Sequence, residues 1–271
     1  MKFLFFFLFF FLYSCDSGDG GAEDVTEEAA PEQFKLEQHY GQDDGMAKDA
    51  TGGVKRYRKA AEQGDAEAQF KLGQIYFHGD GVAKDATEGV KWYRKAAEQG
   101  KPTAQYNLGV CCLRGYGVAK NLTEAVKWFR KAAEQGNAEA QYDLGVRYLL
   151  GEGVAKDATE GVKWFSKAAE QGNAEAQHNL GYSYSKGDGV AKDATEAMKW
   201  FRKAADQGDA EGQYNLGVRY LQGEGVAKDA TEGVKWLRKA AEQGNTEGQY
   251  NLGVCYAKGY LIANELSHIP I

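Results

Sequence analysis

The chain has 271 residues and a formal net charge of −6, from 33 basic and 39 acidic side chains. Residues 1–44 contain ten of the acids and two of the bases, so residues 45–271 have a net charge of +2. In the helices predicted below, no face collects lysine and arginine without a nearby acid, which argues against a nucleic-acid-binding protein.

The N-terminus has the composition of an export signal. Residues 3–13 are eleven consecutive apolar or aromatic residues, too few to span a bilayer as a helix but enough for the core of a signal peptide. Residues 12–15, Leu-Tyr-Ser-Cys, resemble a bacterial lipobox, from which Tyr13 departs because the motif prefers a small or aliphatic residue there. We therefore expect residues 1–15 to be a signal peptide with lipidation at Cys15, which predicts a cell-envelope lipoprotein. An ordinary cleaved signal and an uncleaved anchor are the alternatives.

Residues 16–32 are acidic, contain several glycines and have no aromatic residue. Such a segment buries too little apolar surface to offset its chain entropy, so it is predicted to be disordered. A disordered chain of this length reaches roughly 20 to 25 Å, which suits a tether between a membrane and a folded domain.

The rest of the chain repeats itself every 36 residues without insertion or deletion. The copies begin at Gly45, Gly81, Gly117, Gly153, Gly189 and Gly225. Residues 33–44 align with the end of a copy and are predicted to be a degenerate, capping half-repeat. Residues 261–271 do not follow the repeat and are predicted to be an irregular tail. An unbroken period of this kind is typical of a stacked repeat array in which each unit contacts its neighbours.

Each copy is predicted to contain two helices. Helix B runs from Asp157 to Gln171 in the fourth copy, with a capping box at its start and an apolar stripe at helical spacing. Glycine then ends it, and helix A follows from about Ala174 to Lys186. Helix A has small or apolar residues on two faces, which predicts a helix packed between neighbours.

The motif L-G-x-x-Y-x-x-G-x-G-V, followed by K-W-F/Y-x-K-A-A-E-Q-G, resembles the Sel-one-like repeat (SLR) family, a relative of the tetratricopeptide repeats. The resemblance covers roughly residues 33–260. It implies an all-α fold, an α/α solenoid wound as a right-handed superhelix, which serves as a scaffold for protein interactions with helix A on the concave side. It does not imply a particular partner.

One stripe of helix A is predicted to remain free after packing, and it would line the concave groove. Its second position is mostly asparagine, whose amide can donate to and accept from a peptide backbone, and its third is mostly valine, which could form shallow apolar pockets. We call the following ten residues the stripe: Asn107, Val110, Asp143, Val146, Asn179, Tyr182, Asn215, Val218, Asn251 and Val254. A neutral surface asparagine copied by duplication is the alternative interpretation.

No motif predicts catalysis, a cofactor or a metal site. The chain lacks a G-x-S-x-G elbow, an H-E-x-x-H helix and a phosphate-binding loop, and its four histidines lie in no ligand spacing. The recurring tryptophans are predicted to be core residues. The sequence favours an exported, monomeric scaffold that binds an unknown protein or peptide. An end-to-end contact is possible at the C-terminal helix. A structural spacer and an envelope hydrolase are the alternatives.

The cysteines of the array are predicted to form no intrachain disulfide. Cys111 and Cys255 occupy the same repeat position four units apart, far beyond the Cα separation of about 7 Å that a disulfide allows. Cys112 replaces a tyrosine and is predicted to be buried. A strained bridge between Cys111 and Cys112 is the exception that the sequence leaves open.

Overall fold

The computed structural model describes residues 50–259. The predicted signal peptide, tether, degenerate half-repeat and C-terminal tail lie outside the described residues. Residues 50–259 form helices and no strand, so the prediction of an all-α repeat array is confirmed. The helices are α1 (Ala50–Glu62), α2 (Ala66–His78), α3 (Ala86–Glu98), α4 (Pro102–Arg114), α5 (Leu122–Glu134), α6 (Ala138–Leu150), α7 (Ala158–Glu170), α8 (Ala174–Lys186), α9 (Ala194–Asp206), α10 (Ala210–Gln222), α11 (Ala230–Glu242) and α12 (Thr246–Ala257).

The odd-numbered helices are the predicted helices B and the even-numbered ones the predicted helices A. Side-chain caps define the starts of α2, α3 and α5 to α12: an Asp157 carboxylate oxygen accepts a hydrogen bond from the Glu160 amide at 3.0 Å, and the Asn173 amide oxygen accepts one from the Ala176 amide at 2.7 Å. The α4 helix instead begins with Pro102 and has no side-chain cap. Helix A ends where Gly187 adopts a φ of +77°. None of the described helices is long and apolar enough to cross a bilayer.

The Leu-Gly pair of helix A packs against the helix B that follows it. Leu144 is fully buried, and a Cβ added to Gly145 would lie 2.7 Å from the ring of Phe165 on α7. Glycine is therefore required here, because the aromatic ring of helix B rests directly on the backbone of helix A. This contact joins helix A of one copy to helix B of the next copy.

Neighbouring repeats are joined by a row of buried glutamines near the start of helix A. Gln141 Nε2 donates to the Ala133 carbonyl at 3.0 Å, and Gln141 Oε1 accepts from Gln171 Nε2 at 2.7 Å. We call this row the glutamine ladder. The same two bonds recur at Gln69, Gln105, Gln177 and Gln213.

The tryptophans of helix B pack between repeats, as predicted. Trp92 belongs to a core cluster with Val54 and Leu72 of the preceding helices. The ammonium group of Lys95 lies over the Trp92 ring, 3.8 Å from the ring centroid. The equivalent lysine lies over the ring of each later tryptophan. Trp92 therefore lies between the core and Lys95, which agrees with its predicted role in core packing.

Helices A and B approach each other closely at Gly161. A Cβ added there would lie 3.0 Å from the Gly145 carbonyl oxygen and 3.5 Å from the Leu149 amide. The α5 helix already carries Ala125 at the equivalent position, opposite Leu113, so the array accommodates a methyl group in nearly the same setting. We expect Gly161→Ala to raise the free energy of unfolding by about 0.5 to 1 kcal/mol, the helical cost of glycine relative to alanine.

Gly89→Ala is the matched control for this prediction. A Cβ at Gly89 would lie within 2.9 Å of the Phe77 ring, which is stacked on Tyr93 with a centroid separation of 5.3 Å. The Phe77 ring would have to leave this stacking. Gly89→Ala should therefore raise the free energy of unfolding by less than Gly161→Ala does, or lower it. Urea titrations followed by circular dichroism measure both. Equal gains for the two variants would show that the Phe77 contact is irrelevant.

Candidate functional site

The stripe lies on the even-numbered helices, but the structure corrects the prediction that it is exposed. Its first five members are buried, each with an exposed fraction of 7% or less: Asn107, Val110, Asp143, Val146 and Asn179. The last five are only partly buried: Tyr182, Asn215, Val218, Asn251 and Val254. The accessible part of the stripe is therefore its C-terminal half, on α8, α10 and α12.

The asparagines of the stripe bind the array itself. Asn215 Nδ2 lies 3.2 Å from Nε2 of His178, one repeat earlier, and donates to the Glu211 carbonyl at 2.9 Å. Asn251 Nδ2 likewise donates to the Tyr214 hydroxyl at 3.4 Å. These contacts between adjacent helices A are the physical reason for the correction, since each asparagine lies against the aromatic side chain of the previous repeat.

Asp143 replaces asparagine in this row and is the one carboxylate of the stripe, and it is buried. Burial raises the pKa of Asp143 to about 6, while the Arg147 guanidinium and a hydrogen bond from the Tyr106 hydroxyl oppose that rise. Arg147 is itself buried and forms an ion pair with Glu152. This polar cluster links α4 to α6 and is closed to a large ligand.

His178 replaces the usual tyrosine and lies in the same row. Burial lowers the pKa of His178 to about 4, so the imidazole is neutral at physiological pH. Its ring centroid lies 5.9 Å from that of Phe201 on the next helix B. The histidine is therefore an interface residue between neighbouring helices.

The open half of the stripe combines apolar and amide groups. Tyr182 lies beside Lys186, whose ammonium group is 5.8 Å from the ring centroid. Val218 packs against the cluster of Val234, Leu237 and Cys255 while keeping part of its surface exposed. Next to the stripe on α12, Tyr250 is 73% exposed. The arrangement can contact an extended chain through apolar side chains and amide oxygens.

Nothing in the described residues forms a centre for metal or thiol chemistry. No group of three or more histidine, cysteine or acidic side chains within residues 52–259 is placed to hold a metal ion. Cys111, Cys112 and Cys255 are free thiols, all buried, which agrees with the prediction for Cys112. Burial raises the pKa of Cys111 to about 12 and that of Cys112 to about 11, so neither is a reactive thiolate.

The repeats of this chain match the model of a known family. The Sel1 repeat model matches residues 36–65, 66–101, 102–137, 138–173, 174–209, 210–245 and 246–265. The chain belongs to the Sel1-repeat family. Sel1-repeat proteins generally act as scaffolds for protein–protein interactions, and the suspected SLR resemblance is confirmed.

Two solved structures resemble this Sel1-repeat chain over most of its length. A protective antigen of uropathogenic Escherichia coli strains, which displays an SLR fold, is 44% identical with a TM-score of 0.76, and the match covers 80% of this chain and 46% of the antigen. A Sel1 repeat protein from Oxalobacter formigenes is 35% identical with a TM-score of 0.68, covering 78% and 89%. The chain thus spans about half the length of the E. coli antigen. The comparison with curated proteins gave no match.

The glutamine ladder is the feature that the sequence reasoning missed. Each ladder glutamine follows the small residue at the start of helix A, as in Ala140-Gln141, and a polar residue there is ordinary for a helix surface. Its recurrence in all six complete copies of helix A was the available signal. A polar residue copied without variation into otherwise small and apolar surroundings indicates a buried hydrogen bond.

Proposed function

We propose that this Sel1-repeat chain is an exported, membrane-tethered scaffold that binds an extended segment of another protein through the open half of the stripe. One observation carries the proposal: Tyr182, Asn215, Val218, Asn251 and Val254 are the stripe residues that retain exposed surface, and they follow one another across three consecutive helices A. A repeat array aligns such residues at regular spacing, which suits a ligand that is itself extended.

The chemistry of these residues supports a peptide ligand. Asn215 and Asn251 use their Nδ2 groups within the array, whereas their Oδ1 atoms accept no hydrogen bond in residues 50–259. Such oxygens can accept from backbone N–H groups whatever the peptide sequence. Val218 and Val254 add apolar surface between them, so side chains of the peptide contribute affinity by burial.

Site-specific photo-crosslinking tests this function. We expect a photoreactive phenylalanine analogue at position 218 or 254 to form a covalent adduct with a protein partner in an envelope extract, because both positions lie on the open stripe. Mass spectrometry of the adduct identifies the partner and the crosslinked segment. Absence of an adduct from both positions, in protein with an unchanged melting temperature, contradicts the proposed binding surface.

Export and tethering rest on the N-terminal sequence, since residues 1–49 lie outside the described part. The hydrophobic run and the lipobox-like residues 12–15 support a lipoprotein, and the relative from E. coli is a protective antigen, which supports exposure outside the cytoplasm.

Removal of the predicted lipidation residue tests the anchor. We expect Cys15→Ala to release the protein from the membrane fraction or to leave it unprocessed, because acyl chains contribute about 0.8 kcal/mol per buried methylene group to membrane binding. Cell fractionation and the intact mass of the protein measure this. An unchanged mass with unchanged fractionation would overturn lipidation at Cys15.

A further inference from the structure

The last described helix, α12, has the packing surface of a helix A, and no helix B follows it within residues 50–259. Residues 249–253 have the sequence Gln-Tyr-Asn-Leu-Gly, which is also the sequence of residues 213–217 on α10. Terminal units of a repeat array usually carry polar residues on their outer face, which keep the end soluble, and α12 carries the internal pattern instead. We call the following four residues the end face: Gln249, Tyr250, Leu252 and Gly253.

The apolar part of the end face is more open than its equivalents in the five preceding helices A. Their leucines are at most 1% exposed, whereas Leu252 is only partly buried. A Cβ added to their glycines would lie 2.9 Å or less from a side chain of the next helix B, but no atom lies within 4 Å of a Cβ added to Gly253. Tyr250 is 73% exposed, whereas the ring centroid of the equivalent Tyr142 lies 5.9 Å from that of Phe165. The end face therefore has room for an aromatic side chain.

The end face also offers a polar group at a fixed place. Gln249 Nε2 donates to the Ala241 carbonyl at 3.2 Å, as the ladder glutamines do to theirs. In the ladder, the Oε1 atom then accepts from the glutamine that ends the next helix B, as Gln141 does from Gln171 at 2.7 Å. Within the described residues no glutamine follows to donate to Gln249 Oε1 in this way. One helix could cover the apolar surface and make this hydrogen bond at the same time.

The five occupied copies of this surface show which helix fits it. The residue of helix B that contacts the glycine of helix A is an aromatic residue or leucine, namely Tyr93, Phe129, Phe165, Phe201 or Leu237. In every case two alanines follow three and four residues later, and a glutamine follows six residues later. The alanines are small enough for close approach of the helices, and the glutamine reaches the ladder. The complement of the end face is therefore a helix with the pattern aromatic or Leu-x-x-Ala-Ala-x-Gln.

We infer that the end face binds an amphipathic helix of a partner protein that has this helix B pattern. The contact continues an interface that already occurs five times within the array, and it is of the kind in which a helix is recognised through apolar anchors at helical spacing. Binding buries Tyr250 and Leu252 and adds half a unit to the array, so the scaffold is joined end-on to its partner. The end face shares no residue with the stripe, and the inference is independent of the proposed peptide site.

A peptide with the sequence of α7 tests the inference, because its pattern already fits a helix A of this chain. The probe is residues 157–172 with a fluorophore at the N-terminus. A hydrocarbon staple between positions 163 and 167, which are exposed in the array and four residues apart, holds the peptide helical. We expect saturable binding to the full chain, measured by fluorescence anisotropy.

Variants on both sides of the contact locate the binding. Gly253→Leu fills the space of the incoming side chain without meeting another atom at its Cβ, so it should weaken binding at least about tenfold while the melting temperature does not fall. The peptide with Phe165→Asp should lose affinity to the same extent. Lys235→Leu places a leucine on exposed surface outside the end face and should leave the affinity unchanged.

Three outcomes overturn the inference. The first is no saturable binding of the stapled peptide, and the second is binding that Gly253→Leu leaves unchanged. The third comes from a photoreactive phenylalanine analogue at position 250, which we expect to form an adduct with the peptide. An adduct instead with residues 260–271 of the same chain, or with a second copy of the chain, would show that this segment or copy occupies the end face in place of a partner helix.

Discussion

Gly153→Ala is expected to lower the free energy of unfolding by about 3 to 5 kcal/mol. Gly153 has a φ of +72°, which an alanine adopts only at a cost. An added Cβ would also overlap the Leu122 carbonyl of the preceding repeat and lie 3.0 Å from the Thr123 amide. Both obstacles are backbone atoms at the start of α5, so relief requires the two repeats to move apart.

Gly172→Ala separates the two causes of this loss. Gly172 also has a positive φ, +93°, but no atom lies within 4 Å of a Cβ added there. Replacing it by alanine should therefore lower the free energy of unfolding only by the cost of the positive φ, about 1 to 2 kcal/mol. Urea titration by circular dichroism measures both variants. Similar losses would mean that the contact between Gly153 and the previous repeat does not limit stacking.

Gln141→Ala is expected to cost about 2 to 3 kcal/mol, because it removes one rung of the glutamine ladder. The change leaves the Ala133 carbonyl without its 3.0 Å partner and also removes the bond to Gln171 of the following helix B. Gln141 is 4% exposed, so water has little access to replace these bonds without a cavity forming.

Gln249→Ala is the matched control at the end of the ladder. Gln249 is exposed and makes the bond to the Ala241 carbonyl at 3.2 Å, with no following glutamine within the described residues. Its loss should cost no more than about 1 kcal/mol, the net value of one hydrogen bond. Thermal or denaturant unfolding compares the two variants. A cost at Gln249 as large as that at Gln141 would contradict a role for the ladder in coupling repeats.

Sequence periodicity predicted the helices well, because every local signal in a repeat points the same way. Helix A was placed at about Ala174 to Lys186, and α8 has those bounds. The predicted cap at Asp157 and the glycine after each helix are also present. Repetition supplies several independent copies of each turn signal, so the helix boundaries could be located closely.

The exposure of the stripe residues could not be predicted from one helix A and the two helices next to it in the sequence. The prediction assigned two faces of helix A to packing between neighbours and treated the remaining stripe as free. In the structure that stripe faces the preceding helix A, where His178 lies against Asn215 and Tyr214 against Asn251. The contact joins residues 37 positions apart, so it depends on the angle between repeats, which sequence spacing does not specify.

We propose that a protein partner contacts the open half of the stripe and not the helices B. Photo-crosslinking yields from position 218 on α10 and position 235 on α11 compare the two surfaces directly, because Lys235 is exposed on the helix packed next to α10. We expect an adduct from position 218 and little or none from position 235 in the same extract. Equal yields, or a stronger adduct from position 235, would contradict it.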